Sequence, residues 1–362
     1  MGSAAPQHDR RARRTRRLWW ATAIAFVLLM APFAVTLVAP NAVAQSSAEQ
    51  ANPRAEYWRA VRESAAGYTA ASGPYTTNVL IQNGGENWRE IRNNGIAEYG
   101  GWLFAAAIVG IALFFFYRGR IRIEAGRSDK RVPRFTLFDR TIHWFMVALV
   151  VILGLTGLFL LYGRSVLIPV IGKEAFATVA AASVQAHNLF GPIFIGALVA
   201  LFINFLRGNM PAKGDLQWLL KGGGMIKGKH ASSGRYNAGE KIWFWVASIC
   251  GLVLAVSGLV LDFPVFGQTR EMMQISDVFH GVAAVIFLAG MLAHAYIGTI
   301  GMEGSLESMT RGSVDANWAK EHHDLWYAEM EKAGKVLPAA ELEGYRREQD
   351  LERIPAAGKS GG

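Results

Sequence analysis

A single cysteine, Cys250, occurs in 362 residues. One thiol excludes an intramolecular disulfide, a cysteine-ligated iron–sulfur cluster and covalent haem attachment through a C-x-x-C-H motif. Charge is scarce too: 18% of the residues are charged and 52% are hydrophobic, where a soluble globular chain carries about 25% charge. The missing charge coincides with long apolar runs, which points away from a soluble enzyme and toward an integral membrane protein. The formal net charge is +9. That excess lies between apolar runs and not on one polar face, so it reads as membrane topology and not as nucleic-acid binding.

Residues 1–44 read as a signal peptide or anchor. RRARRTRR (10–17) is followed by an apolar run from Leu18 to about Val38 and by Ala42-Val43-Ala44, a small-x-small cleavage pattern. Residues 45–97 are polar, show no strong helical period, and are expected to be an exported periplasmic segment that orders against a partner. Five spans follow, at about 99–117, 142–163, 185–206, 242–262 and 276–300, each near the length that crosses a bilayer. The loops at 118–140 and 207–241 are rich in Arg and Lys; those at 164–184 and 263–275 are poor in them. By the positive-inside rule the rich loops are cytoplasmic, as is the tail from Gly301. The expected class is an all-α integral membrane protein. Its parts are an extra transmembrane helix and basic loop (98–133), a four-helix core (134–301) and a cytoplasmic tail (302–362) whose last residues, PAAGKSGG, read as disordered.

Four of the eight histidines stand at telling depths. His143 opens the second of these spans on the cytoplasmic side, and His187 opens the third on the exported side. His280 and His294 share the fifth. Fourteen residues at about 100° each return to within about 40° of the same face, and the rise of about 1.5 Å per residue separates the two by about 21 Å. His187 thus matches the depth of His280, and His143 that of His294. Two imidazole pairs at two levels suit two b-type haems, each held from both sides without a covalent link. One intramembrane histidine alone reads as readily as a helix–helix hydrogen-bonding residue; four, paired by depth, favour cofactor ligation. Gly154, Gly157, Gly191, Gly281 and Gly290 allow a flat macrocycle close to the backbone, or simply allow helices to pack. Arg140 suits a haem propionate or a topology-setting role in equal measure. His322 and His323 lack further ligands for a metal and read as part of a solvated or partner-contacting helix.

At RFTLFDRTIHW (134–144), AHNLFGP (186–192), GRYNAGEKIWFW (234–245), FHGVAAVIFLAGMLAHAY (279–296) and WAKEHHDLWY (318–327) the chain resembles the gamma subunit, a cytochrome b, of membrane-bound respiratory formate dehydrogenase. The histidine spacing is common to related cytochromes b; the YNAGEK loop and WAKEHH tail sharpen the likeness. The resemblance implies two haems b, ligated by His143 with His294 and by His187 with His280, and a quinone site at Asn237 and Gly239. It also implies a catalytic alpha subunit, an iron–sulfur beta subunit and a bacterial inner membrane. Residues 1–133 lie outside it. On these terms the chain passes electrons to quinone and does not itself oxidise formate. The residues alone give Asn237 a neutral donor and acceptor at the start of a span, and give His294 a second ring nitrogen for a bound quinone; they equally allow Asn-Ala-Gly to be a turn before a helix. The rival readings are the cytochrome b of a hydrogenase or thiosulfate-type reductase and a haem-free anchor or transporter, whose polar residues would lie nearer the midplane.

Overall fold

The computed structural model describes Arg59 and residues 83–223 and 231–342. The signal-like segment, most of 45–82, His8, His230 and the PAAGKSGG end lie outside the described residues. Within them are α1 (Asn83–Glu90), a π-helical stretch (Ile91–Ala97), α2 (Glu98–Arg118), α3 (Leu137–Val166), α4 (Ile168–Phe205), α5 (Asp215–Leu220), α6 (Ala238–Asp262) and α7 (Arg270–Tyr296). After a second π-helical stretch (Ile297–Gly301) come α8 (Ser305–Arg311), α9 (Ala316–His322) and α10 (Asp324–Lys332). Among the described residues five helices are long and apolar enough to cross a membrane, and each contains one of the expected spans. The chain is a multi-pass, mostly helical membrane protein.

Two expectations change. Residues 83–97, read as part of an exported stretch without a helical period, are helical and run directly into α2. Residues 164–184, read as a loop, are almost entirely helical, because the alanine-rich run ATVAAASVQA favours helix. A break remains at Gly172, whose φ of +81° only glycine adopts without strain.

The described residues divide into two compact units, those up to 105 with 155–187, and 106–154 with those from 188 onward. In the first, Tyr162 Oη donates to the Ala97 carbonyl at 2.8 Å and Arg92 Nη2 to the Leu160 carbonyl at 3.3 Å. Phe176 packs so tightly on Gly163 that a Cβ there would stand 2.5 Å from its ring. In the second, Met146, Leu149, Val150, Phe194, Ala197, Cys250, Ala283 and Phe287 form an apolar core drawn from α3, α4, α6 and α7.

The same unit carries a polar cap that hydropathy does not announce. Three short antiparallel strands, β1 (Lys130–Pro133), β2 (Ser313–Asp315) and β3 (Leu337–Pro338), lie in the order β2-β1-β3, with Val132 opposite Val314 and Lys130 opposite Pro338. Asp315 caps α9 by accepting from Asn317 N at 2.9 Å and also accepts from Ser128 N at 3.0 Å. The Arg134 guanidinium donates to the Arg235 carbonyl at 2.8 Å and to Glu240 Oε1 at 2.9 Å. It lies among the rings of Phe135, Tyr236, Trp318 and Trp326, at 5.2 to 5.9 Å. The tail is therefore not a solvated helix at His323: this side chain is 1% exposed and its Nδ1 bonds the Gly234 carbonyl at 2.8 Å. Trp318 closes over it, with ring centres 5.0 Å apart.

Candidate functional site

α3 begins where Thr136 and Asp139 cap each other: Thr136 N donates to Asp139 Oδ2 at 2.8 Å, and Asp139 N to Thr136 Oγ1 at 3.2 Å. This fixes the first turns of α3 and, with them, His143. α7 begins at Thr269, whose hydroxyl accepts from Met272 N, and runs unbroken through both His280 and His294. The two histidines therefore do share one helix, fourteen residues apart.

His143 and His294 meet. Their ring centres are 6.3 Å apart and their planes 61° apart. An imidazole nitrogen sits about 2 Å from a bound metal, and a ring centre about 1 Å behind its nitrogen, so two rings holding one iron from opposite sides have centres about 6 Å apart. The observed spacing fits. His143 Nδ1 is buried without a hydrogen-bond partner. Trp243 stacks on His294 at 5.1 Å and 17°, and Trp243 is itself seated on Gly290, where a Cβ would stand 2.7 Å from the indole. Gly290 thus serves the site through the tryptophan.

His187 and His280 belong to different units, and each has its own surroundings. In the first unit Thr156 Oγ1 lies 2.9 Å from His187 Nδ1, and a Cβ on Gly157 would stand 3.4 Å from His187 Cε1. In the second, Ser257 Oγ lies 3.0 Å from His280 Nδ1, and a Cβ on Gly258 would stand 3.5 Å from His280 Cε1. Each ring is held at Nδ1 by a hydroxyl and flanked by the next residue, a glycine. Of these four supporting residues the sequence reading singled out only Gly157. Thr156-Gly157 and Ser257-Gly258 carry no signal in the sequence that a histidine lies against them.

The other glycines divide. Gly154 meets Leu288 at 3.1 Å, which is helix packing, and Gly191 has nothing within 4 Å of its would-be Cβ. Arg140 donates to the Thr136 and Thr310 carbonyls at 3.3 and 2.9 Å, tying the start of α3 to the end of α8. Asn237 is the N-cap of α6 in a complete capping box: its Oδ1 accepts from Glu240 N at 2.9 Å, and Glu240 Oε2 accepts from Asn237 N at 3.0 Å. Gly239 lies against Trp218, its would-be Cβ 3.1 Å from the indole. Glu240, in the same turn, accepts from the Arg134 guanidinium at 2.9 Å, which ties the opening of α6 to the residues just before α3.

Residues 134–312 match the family of prokaryotic cytochrome b561. Over 211 residues the chain is 33% identical to the cytochrome b556(Fdn) subunit of the nitrate-inducible formate dehydrogenase of Escherichia coli (strain K12), covering 57% of this chain and 94% of that protein. It is 26% identical over 205 residues to the cytochrome b556(fdo) subunit of a formate dehydrogenase of the same strain, 56% of this chain and 94% of the relative. It is also 26% identical over 208 residues to the formate dehydrogenase cytochrome b556 subunit of Haemophilus influenzae, 56% of this chain and 84% of the relative.

Proposed function

The chain belongs to the family of formate dehydrogenase cytochrome b subunits, and from that membership we propose that it carries two haems b and passes electrons from an iron–sulfur partner to membrane quinone. Membership of a cytochrome b family implies haem b; the number of haems and their ligands are the proposal. His143 and His294 hold one, and His187 and His280 the other. The observation that carries the reading is the 6.3 Å separation of the His143 and His294 rings, the spacing of two imidazoles on one iron.

A bis-histidine haem supplies reversible one-electron chemistry. The protein's part is to fix the imidazoles and keep water from them. Trp243 covers one face of His294, and the core of α3, α4, α6 and α7 lies alongside. At the opening of α6, Asn237 gives its oxygen to the helix cap, so its amide NH2 is the group left to donate to a quinone carbonyl. In this reading a catalytic formate dehydrogenase subunit and an iron–sulfur subunit are the partners, because one cysteine cannot build a cluster. The membrane is the bacterial inner membrane, with the arginine-rich loops on its cytoplasmic side.

Two measurements test this. Haem-to-protein stoichiometry should be two, and His143→Ala should lower it to one; a ratio of one or zero in the unaltered protein would sink the two-level arrangement. Asn237→Ser keeps an oxygen for the cap and loses the amide donor. It should retain both haems and slow their reoxidation by quinone several-fold; reoxidation at the wild-type rate would leave Asn237 a cap only.

A further inference from the structure

Ser257 has one hydroxyl proton, and the Val253 carbonyl takes it: the two oxygens are 2.6 Å apart. Ser257 Oγ also lies 3.0 Å from His280 Nδ1. A hydroxyl whose proton is committed can only accept. His280 Nδ1 therefore carries the ring hydrogen and donates it to Ser257, which leaves the lone pair of the imidazole on Nε2. Gly258 flanks the ring at contact distance, so the imidazole is held both by direction and by volume. The same pairing of hydroxyl and glycine stands at His187, with Thr156 and Gly157. His143 differs, since its Nδ1 is buried with no partner.

We propose that Ser257 is a positioning residue: it fixes the Nδ1–H tautomer of His280 and, by accepting that hydrogen, makes the iron-binding nitrogen more basic, so the haem held there has a lower reduction potential than the haem held by His143. The proposal rests on the reading above that His280 ligates a haem. The physical step is general. A hydrogen bond from the far ring nitrogen to an acceptor raises the donor strength of the ligating nitrogen, and a stronger donor stabilises ferric over ferrous iron. One electron converts ferric to ferrous iron, and the Nδ1 proton stays where it is. Thr156 stands in the matching place at His187, in its own unit. The consequence is a direction: electrons move favourably from the haem held by His280 to the haem held by His143.

The test is a potentiometric titration of the purified full-length chain with its haems. In Ser257→Ala the haem content should stay at two. One midpoint should rise by about 59 mV, which is a tenfold change in the ferric-to-ferrous equilibrium for a one-electron couple, and the other should not move. Ser257→Thr, which restores an acceptor, should return the wild-type value. If Ser257→Ala sheds one haem, retention of both by Ser257→Thr at wild-type midpoints supports the same role, and loss from both variants overturns it. Two haems with unchanged midpoints in Ser257→Ala, or a shift confined to the haem lost in His143→Ala, also overturn it. His280→Ala isolates the underlying reading: should that variant keep both haems, His280 is not a ligand and the proposal fails with the reading, whatever Ser257 does.

Discussion

The membrane-length helices turn Leu113, Phe116, Ile203 and Leu252 outward, while the polar cap of residues 120–135 and 302–342 buries Asp315, Trp318 and His323 almost completely. The two regions obey different solvents. Against lipid an outward leucine costs nothing, and each helix satisfies its own backbone. In the cap every buried polar group needs a named partner, and it has one in most cases: Arg131 bonds Glu307 and Ser313, Arg134 bonds Glu240, and Asp315 receives three backbone N–H groups. The difference teaches where single substitutions should hurt. The cap is held by a few irreplaceable polar contacts, the helices by many interchangeable apolar ones.

The largest expected effect is at Arg134. Its side chain is 2% exposed and that of Glu240 is 36% exposed. Arg134→Ala removes the cation, empties the space among four aromatic rings and leaves Glu240 half-desolvated without its partner. Breaking a buried pair costs about 3–5 kcal/mol, and the partial exposure of Glu240 puts the expectation near 3. Unfolding in detergent, followed by tryptophan fluorescence, should report it, since Trp318 and Trp326 line the site. A midpoint like that of the wild type would show that the cap does not depend on this contact.

The next effect is a pH dependence confined to the cap. Burial pushes the His323 imidazole down to about 4; the Arg134 guanidinium and His322 act in the same direction, and the Glu240 carboxylate and the Gly234 carbonyl oppose them. The folded form therefore holds His323 neutral, while the unfolded chain binds the proton near the ordinary value of about 6.5. Stability is complete above about pH 6.5 and is lost as the pH falls toward 4, by about 1.4 kcal/mol per unit. Between pH 7.5 and pH 5 the cap should lose roughly 2 kcal/mol, and His323→Gln should flatten that slope. An equal slope in the variant would assign the acid sensitivity to another group.

This contrast also marks what the sequence could disclose. The spans were legible because lipid-facing residues need only be apolar, and length and hydropathy record that directly. The depth pairing of His143 with His294 was legible because a helix converts residue number into height. The cap was not. Arg131 and Arg134 look like any arginines of a basic loop, and only pairing with residues more than a hundred positions away makes them structural. The strands are four, three and two residues long, too short for an alternating pattern to register. Ser257 and Thr156 were missed for a related reason: a hydroxyl inside an apolar helix usually bonds its own backbone, and nothing in the string says that a histidine will also lie against it.

The smallest expected effect sharpens the same comparison from inside the apolar helices. Gly290 and Gly191 look alike in sequence, both glycines in membrane-length helices. At Gly290 a Cβ would stand 2.7 Å from the Trp243 ring, whereas at Gly191 nothing lies within 4 Å. Gly290→Ala must push the indole aside, at about 1 kcal/mol, the low end of overpacking. Gly191→Ala meets no obstacle and should be neutral or gain a few tenths from helix propensity. Trp243 stacks on His294, so the displacement should also reach the imidazole. The absorption spectrum of the haem assigned to His143 and His294 should change in Gly290→Ala and not in Gly191→Ala. If both variants keep the wild-type spectrum and stability, Trp243 is free to yield, and the close packing at Gly290 serves the helices and not the histidine.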